Sequence, residues 1–345
     1  MRESCMYGSE RGARGNSRPY RTRRQFITLI GGAAAAWPFA ARGQEPMPVI
    51  GFLHSASPDG QALYVAAFRE GVRQTGSVDG RDVTIEFSWA NNQNDRLPAL
   101  AADFVQRRVA VISALSNASA FAAKAATSTI PIVFAGSADP VADGLVASLN
   151  RPGGNVTGVT TLNIELGPKR VELLHVLIPA SASIAALVNP TNPVAETDTR
   201  NVEEAARSLG RQIHILHASS EREFDSVFAT LAQLRAGALL IVSDNFFNSR
   251  SERLAALTMR HAVPAIYQYR QFAAAGGLMS YGGNLEELYR QVGIYTGRIV
   301  KGAKPDELPV QQLSRIGLII NLKTARALGL TMPTSLLVRA DEVIE

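Results

Sequence analysis

The chain has 345 residues, of which 46% are hydrophobic and 19% are charged. This is a globular composition, which excludes a disordered chain and a multispanning membrane protein, and the length favours two domains. The formal net charge is +5, but eight of the 35 basic and two of the 30 acidic side chains lie in residues 1–43. The remainder is close to neutral and gives no electrostatic indication of a nucleic-acid partner.

Residues 1–43 have the layout of a signal peptide. The pair Arg23-Arg24 is followed two places on by Phe26, and an uncharged stretch rich in Ala and Gly extends over residues 27–41. That stretch of about 15 residues is shorter than the roughly 20 that a membrane span needs. The pattern predicts a twin-arginine signal peptide that is cleaved near Gly43.

The cysteine count agrees with export as a soluble protein. The single cysteine, Cys5, lies inside the predicted signal, so the remaining chain has no disulfide and no cysteine nucleophile. No cysteine stands at the predicted cleavage site to carry a lipid anchor. We therefore expect a soluble periplasmic protein.

Beyond the signal, short apolar runs alternate with amphipathic stretches. A first series predicts strands at 49–53, 83–89, 109–114 and 130–135, with helices at 63–75, 97–107 and 119–128. A second series predicts strands at 183–188, 212–217, 238–242 and 264–267, with helices at 194–209, 221–234 and 249–260. Such alternation is typical of parallel sheets with helices on both faces.

The C-terminal part of the chain departs from this alternation. It predicts strands at 277–281 and 317–321, helices at 285–301 and 322–328, and an extended piece at 308–312. We interpret it as crossing back to the first lobe and then returning to the second. The predicted fold is α/β, with two doubly wound parallel-sheet lobes joined by three crossovers. Lobe 1 comprises 48–162 and 276–313, and lobe 2 comprises 163–275 and 314–345. Several crossings form a hinge suited to closing on a ligand.

Candidate binding residues follow from a rule about parallel sheets. Ligands bind beyond the C-terminal ends of the strands, near helix N-termini. Hydroxyls and amides there suit reversible binding of a small zwitterion or polyol, and aromatic rings can stack on an apolar part. Ser, Asn and Asp at such positions also serve as helix caps and turn formers, so each has a structural alternative. The candidates are Ser55, Ser57, Ser116, Asn117, Ser137, Asp139, Asn189, Asn192, Asp244, Tyr267, Ser280 and Tyr281.

Common catalytic and cofactor motifs are missing from the sequence. It contains no phosphate-binding loop, no dinucleotide fingerprint after the first strand, no nucleophile elbow and no His-Glu-x-x-His. The five histidines are scattered, and His54 at a strand end is interpreted as an ordinary polar turn residue. The sequence therefore predicts neither an enzyme nor a cofactor or metal site.

At this point the sequence resembles a known family over nearly all of 22–345. The resemblance is carried by residues 23–29, by 48–53 and above all by the run Asn-Arg-Pro-Gly-Gly-Asn-Val-Thr-Gly at 150–158. Further matching segments are 95–101, 130–134, 184–193, 276–282 and 319–330. The chain resembles the ABC transporter substrate-binding proteins of the tryptophan/tyrosine-permease type.

The resemblance implies a type I periplasmic-binding fold with a ligand between two lobes, and some relatives bind aromatic amino acids. It also implies that several of the candidates match cleft positions: Ser55, Ser116, Asn117, Ser137, Asp139, Asn189, Asp244 and Tyr267. We expect a monomeric exported binding protein of an ABC importer. It would capture a small polar or aromatic molecule, amino-acid-like by preference, and deliver it to the transmembrane subunits of a permease.

Three other functions remain open from the sequence. A periplasmic sensor would present the ligand to a signalling receptor, and an exported hydrolase or oxidoreductase would transform it. A transcription-regulator core can share this fold, but it needs an N-terminal helix-turn-helix where this chain has its predicted signal.

Overall fold

The apolar runs of the sequence form two sheets in the computed structural model, which describes residues 47–345. The predicted signal peptide lies outside the described residues. Six strands form the first sheet: β1 (Val49–His54), β2 (Thr84–Trp89), β3 (Val111–Ala114), β4 (Ile132–Gly136), β5 (Val156–Thr160) and β11 (Gln311–Gln312). Seven form the second: β6 (Ile184–Val188), β7 (Ile213–His217), β8 (Ala238–Ile241), β9 (Ala265–Tyr267), β10 (Met279–Gly282), β12 (Gly317–Asn321) and β13 (Glu342–Ile344).

The strand orders are those of doubly wound sheets. The first sheet has the order β11-β5-β4-β3-β1-β2, and all of its pairings are parallel. The second has the order β13-β12-β10-β9-β8-β6-β7 and is parallel except between β10 and β12. Because the chain reverses strand order within each sheet, each lobe has a crevice at the carboxyl ends of its central strands.

Helices connect the strands and cover the faces of both sheets. They are α1 (Ala62–Gln74), α2 (Leu97–Gln106), α3 (Asn117–Ala126), α4 (Gly167–Leu177), α5 (Ala195–Ser208), α6 (Phe224–Leu234), α7 (Asn245–Ser249), α8 (Ser251–Arg260), α9 (Arg270–Ala274), α10 (Leu285–Val300), α11 (Leu322–Ala327) and α12 (Thr334–Leu337). No helix within residues 47–345 is long and apolar enough to cross a membrane.

Strand β1 shows why helices are needed on both faces of its sheet. Phe52 packs in one core cluster with Phe68 of α1 and Val292 of α10. The next residue, Leu53, packs in a second cluster with Phe104 of α2. Successive side chains of a strand point to opposite faces, so a strand that is apolar throughout must be covered twice.

Helices α1 and α10 approach each other unusually closely on one face of the first sheet. A Cβ atom added at Gly71 of α1 would overlap the backbone carbonyl of Arg290, and one added at Gly293 of α10 would overlap that of Phe68. The absence of side chains at these two positions lets the backbones touch. Helix α10 is thereby fixed against the first lobe.

Three crossovers join the two sheets, and they confirm the predicted architecture. They lie between β5 and α4, between β10 and α10, and between β11 and β12. The assignment of residues 276–282 to the first lobe was wrong, because β10 pairs with β9 and β12 in the second sheet. The second crossing therefore occurs after Gly282. An apolar run predicts a strand but does not identify which sheet supplies its neighbours.

A buried arginine links two of the crossovers. Arg170 of α4 is fully buried and donates from Nε to the Tyr281 carbonyl at 2.8 Å and from Nη2 to Asn163 Oδ1 at 3.2 Å. The same Asn163 oxygen accepts from the Gly283 backbone N–H at 3.3 Å. Burial lowers the pKa of Arg170 to about 10, so the side chain stays charged at neutral pH. The first and second crossovers are thus held together by one cation.

Candidate functional site

Residues that follow strands of both sheets line a cleft between the lobes, which has two adjoining compartments. The polar compartment includes Ser55, Asn92, Asn94, Asn189 and Phe246. The mixed compartment includes the polar or aromatic residues Ser137, Tyr269 and Tyr289 and the apolar residues Leu115, Ala135, Leu285 and Leu288. Both compartments share Ser116, Asn117, Asn192, Asp244 and Asn245.

The two lobes are closed over this cleft. Asn94 of the first lobe donates from Nδ2 to the Thr191 carbonyl of the second at 3.0 Å. On another side the Tyr64 hydroxyl donates to Gln271 Oε1 at 2.6 Å. Each compartment retains a cavity of about 20 Å³, which is the space of roughly one water molecule. A solute of amino-acid size therefore requires the lobes to part before it enters.

Asp244 is the most heavily bonded side chain of the cleft. It caps α7 through Oδ1, which accepts from the backbone N–H of Phe246 at 2.9 Å and of Phe247 at 3.2 Å. Asn189 donates to Oδ1 at 3.2 Å, and Asn192 donates to Oδ2 at 2.9 Å. Burial raises the pKa of Asp244, and these hydrogen bonds act against that rise. Oδ2 keeps a lone pair for a further donor.

The first lobe contributes neutral groups to the cleft. Ser116 caps α3 by accepting from the Ser119 backbone N–H at 3.0 Å. Asn117 donates from Nδ2 to Ser137 Oγ at 2.9 Å and accepts at Oδ1 from the Ser137 backbone N–H at 3.1 Å. The first backbone N–H groups of a helix have no partner within the helix, so the start of α3 offers donors to a ligand.

One acceptor in the polar compartment has no partner. The buried Oδ1 atom of Asn92 makes no hydrogen bond within residues 47–345. Asn92 follows β2 and has a φ of +61°, a left-handed conformation that asparagine tolerates better than most residues. An unpaired buried carbonyl oxygen is costly, and a ligand donor would remove that cost.

Few charged side chains line the cleft. Asp244 is the one ionisable acid among the described residues that line the two compartments, and none of those residues is Lys, Arg or His. Such a lining disfavours phosphorylated or multiply anionic solutes, because no cation is present to compensate them. It suits a solute that carries one positive group.

The mixed compartment has an aromatic wall supported from beneath by a histidine. His54 Nε2 lies 2.6 Å from Tyr289 Oη, and both side chains are buried. His54 is thus a packed residue under the cleft, so its interpretation as an ordinary turn residue was wrong. Tyr289 comes from α10, whose residues Leu285 and Leu288 line the same compartment.

Seven of the twelve predicted binding residues come together at the cleft. The residues that line it are Ser55, Ser116, Asn117, Ser137, Asn189, Asn192 and Asp244. Their contact with a ligand stays a prediction. The strand-end rule located them because both sheets turn the carboxyl ends of their strands toward the same crevice.

The other five predicted residues do not line the compartments. Tyr267 is fully buried, shares a hydrogen bond of 2.8 Å with Thr258 Oγ1 and stacks on Phe272, so its placement in the cleft was wrong. Asp139 accepts from the Val141 backbone N–H at 2.8 Å and caps a turn. Tyr281 packs against the core and meets Arg170 through its carbonyl. Ser57 and Ser280 are buried, and their hydroxyls have no partner within residues 47–345.

Sequence reasoning missed the contribution of α10. Leu285, Leu288 and Tyr289 follow the spacing of an ordinary buried helix stripe, which gives no sign that one end of it lines a cleft. Arg170 was missed as well, because the sequence analysis predicted no helix at 167–177 and because a charged residue is usually exposed.

A closed two-lobed α/β protein with a polar interlobe cleft has the architecture of a solute-binding protein. The model of the family described as "ABC transporter substrate binding protein" matches residues 50–344. The chain belongs to this family. Its members bind solutes rather than transform them, so the chain is a binding protein and not an enzyme.

Individual relatives agree with this assignment. The chain is 27% identical over 264 residues to a tyrosine-binding protein of Clostridioides difficile, which covers 76% of this chain and 75% of the relative. A structure of an ABC domain from Streptococcus pneumoniae in complex with L-Trp is 26% identical, with a TM-score of 0.76, covering 86% of this chain and 99% of that one.

A conserved domain protein from Vibrio cholerae has the same fold, with a TM-score of 0.78 at 24% identity over 86% of this chain and 99% of that one. These structural neighbours confirm the predicted type I periplasmic-binding fold.

Proposed function

We propose that this protein captures an aromatic amino acid between its lobes and delivers it to the transmembrane subunits of an ABC importer. The observation that carries the proposal is the cleft itself, where one carboxylate and a set of neutral donors stand beside an apolar, aromatic wall. The names of two relatives, which refer to tyrosine and to L-Trp, support the same class of solute.

The polar compartment suits the head group of an amino acid. The ammonium group donates to Asp244 Oδ2 and to the unpaired Asn92 Oδ1. The carboxylate accepts from the backbone N–H groups at the start of α3 and from the hydroxyl of Ser55. Charge-assisted hydrogen bonds of this kind are about twice as strong as neutral ones, and a helix N-terminus favours an anion.

The mixed compartment suits the aromatic side chain. Leu115, Leu285 and Leu288 supply apolar contacts, and the rings of Tyr269 and Tyr289 supply flat surfaces. Aromatic pairs stabilise a complex by roughly 0.5–1.5 kcal/mol beyond the area they bury. A sugar or polyol would leave these surfaces without a matching partner.

Export and delivery complete the proposed role. The twin-arginine pattern in residues 1–43 supports transport across the cytoplasmic membrane. Closure of two lobes over the solute supports presentation to a permease, because the closed form offers one continuous surface made by both lobes.

Isothermal titration calorimetry with a panel of solutes tests the proposal. We expect L-tyrosine, L-tryptophan and L-phenylalanine to bind without turnover. Tyramine lacks the carboxylate and 3-(4-hydroxyphenyl)propionate lacks the ammonium group, so both should bind much more weakly. Binding of a sugar in preference to all three amino acids would contradict the proposal. Uptake of the labelled amino acid should fall when the gene is deleted from its host.

A further inference from the structure

The hydroxyl group of Tyr289 is hydrogen-bonded to a buried histidine, and the contacts of that histidine fix the direction of the bond. His54 Nε2 lies 2.6 Å from Tyr289 Oη, and the Ala56 backbone N–H donates to His54 Nδ1 at 2.9 Å. His54 is 0% exposed and Tyr289 is 2% exposed. The histidine ring lies against Phe52 and Trp89, so its orientation is fixed by packing as well as by hydrogen bonds.

These contacts decide where the imidazole proton is. A neutral imidazole has one N–H donor and one acceptor nitrogen. Nδ1 is the acceptor, because it receives the Ala56 N–H, and Nε2 therefore carries the proton. Burial lowers the pKa of His54 to about 3, in keeping with a neutral ring.

The proton on Nε2 in turn decides what Tyr289 does. His54 donates to the phenolic oxygen, so the Tyr289 hydroxyl proton must point elsewhere. Within residues 47–345 no second hydrogen-bond partner of Tyr289 Oη is found. Tyr289 lines the mixed compartment, where the side chain of the solute would lie. Because His54 takes the acceptor role from its own side, the Tyr289 hydroxyl proton is left without a partner and is free to be donated to a solute.

We propose that Tyr289 is a ligand-selecting donor, which favours an aromatic amino acid whose ring carries a hydrogen-bond acceptor. The inference rests on the proposed function and narrows it from aromatic amino acids to phenolic ones. The oxygen of a phenol accepts the Tyr289 proton. A phenyl ring leaves that proton unpaired, and an indole offers only a second N–H donor. A missing hydrogen bond at a buried donor weakens binding by roughly 5- to 100-fold.

Calorimetric titration of the purified protein with four solutes tests this selection. L-Tyrosine should bind about 10-fold or more tighter than L-phenylalanine, L-tryptophan and 4-amino-L-phenylalanine, whose amino group replaces the phenol with a group that mainly donates. In the variant Tyr289→Phe the preference for tyrosine over phenylalanine should fall to nearly one. Tyr295→Phe is the matched control, because the Tyr295 hydroxyl on the same helix donates to the Pro309 carbonyl at 2.7 Å and should leave the preference unchanged.

The ratio of the affinities for L-tyrosine and L-phenylalanine distinguishes ligand selection by Tyr289 from a merely structural role of its hydroxyl group. A structural role of the hydroxyl would weaken all four solutes equally in Tyr289→Phe, and that result would overturn the inference. Binding of aromatic amino acids without any preference for tyrosine would overturn it and leave the proposed function standing. Failure of every aromatic amino acid to bind would overturn both.

A measurement that needs neither variant nor ligand tests the premise. The ¹⁵N chemical shifts of His54 should show the neutral tautomer protonated at Nε2. A proton on Nδ1 would overturn the inference, because Tyr289 would then be free to donate to His54.

Discussion

Among single residues, Asp244 has both a structural and a binding role. Its Oδ1 atom caps α7, while Oδ2 accepts from Asn192 and stays open to the cleft. These roles can be separated by a substitution that keeps one of them. Asparagine is as good an N-cap as aspartate, but it has no negative charge for an ammonium group.

We therefore predict that Asp244→Asn retains the fold and loses affinity. A hydrogen bond to a charged group contributes about 1.5–3 kcal/mol, so the dissociation constant for an amino acid should rise roughly 10- to 150-fold. Titration calorimetry measures it, and a shift in melting temperature monitors the fold. Asp139→Asn is the control, since Asp139 also caps a turn but lies away from both compartments. Equal affinity in the two variants would exclude Asp244 from the site.

Asp198 lies behind the cleft and links stability to pH. Its Oδ2 atom accepts from the Ser243 backbone N–H at 3.2 Å, and its Oδ1 atom has no partner within residues 47–345. Burial raises the pKa of Asp198 to about 7, although the positive charge of Arg170 opposes the rise. In an unfolded chain the carboxyl group titrates near pH 4.

The folded protein therefore retains a proton between about pH 4 and pH 7 that the unfolded chain has released. Its free energy of unfolding should fall as pH rises through this window, by up to about 1.4 kcal/mol per pH unit, and the loss should be complete above pH 7. We predict that wild type loses stability relative to Asp198→Asn between pH 5 and pH 8 in denaturant titrations. His54 and Asp244 titrate in both proteins, so their contributions cancel. Parallel profiles would show that Asp198 ionises normally.

Single residues also mark where prediction from sequence stops. Asp244 and Asn189 were predictable, because a polar residue directly after a buried parallel strand has few places to go except the crevice. The same rule predicted Tyr267, which ends β9, to line the cleft. That prediction failed because the ring turns toward Phe272 and Thr258. The direction of a side chain at a strand end depends on the helix packed beside it. That packing is a tertiary contact which the local sequence does not contain.

At the scale of elements, α1 and α10 form the packing on which the mixed compartment depends. Helix α10 supplies Leu285, Leu288 and Tyr289 to the cleft, and its position is set by backbone contact with α1. Gly71 and Gly293 make that contact possible. Glycine is normally unfavourable within a helix, by about 1 kcal/mol relative to alanine.

Whether Gly71→Ala stabilises or destabilises the protein tests this contact. On helix propensity alone Gly71→Ala should stabilise the protein by about 1 kcal/mol. We predict destabilisation by about 1–3 kcal/mol instead, because the new methyl group overpacks the crossing. Denaturant titration measures the change, and Ala66→Gly on the exposed side of α1 calibrates the propensity term. Stabilisation by Gly71→Ala would show that the two helices are free to separate.

The elements themselves were largely predictable. Helical and strand periodicities located most strands and helices because each buries a defined face or stripe, but β5 and α4 were not predicted. The partners of β10 were not predictable, since a short apolar strand is compatible with either sheet. Hydrogen bonding with β9 and β12 decides it, and this choice moves the crossing to the start of α10.

For the whole molecule, the cleft works only if the lobes open and close. The small cavities show that the closed form leaves no passage of amino-acid size. A groove of about 460 Å³ meets the mixed compartment at Tyr269 and Leu285 and opens to solvent. Its lining includes Gly283 and Arg315 of the second and third crossovers, so it lies on the hinge side of the cleft. The sequence predicted a hinge from its crossings but not the contacts that hold the lobes shut.

The bond from Asn94 to the Thr191 carbonyl joins the two lobes across the closed cleft. Removing it should raise the free energy of the closed form and leave the open form unchanged, which shifts the equilibrium toward opening. A hydrogen bond of this kind contributes about 0.5–1.5 kcal/mol. We therefore predict that Asn94→Ala increases the dissociation rate of a bound amino acid roughly 2- to 12-fold and changes the association rate little. Stopped-flow fluorescence measures both rates, with Asn150→Ala as the control for an exposed asparagine. Should only the association rate change, the bond would be acting on entry of the solute rather than on closure of the lobes.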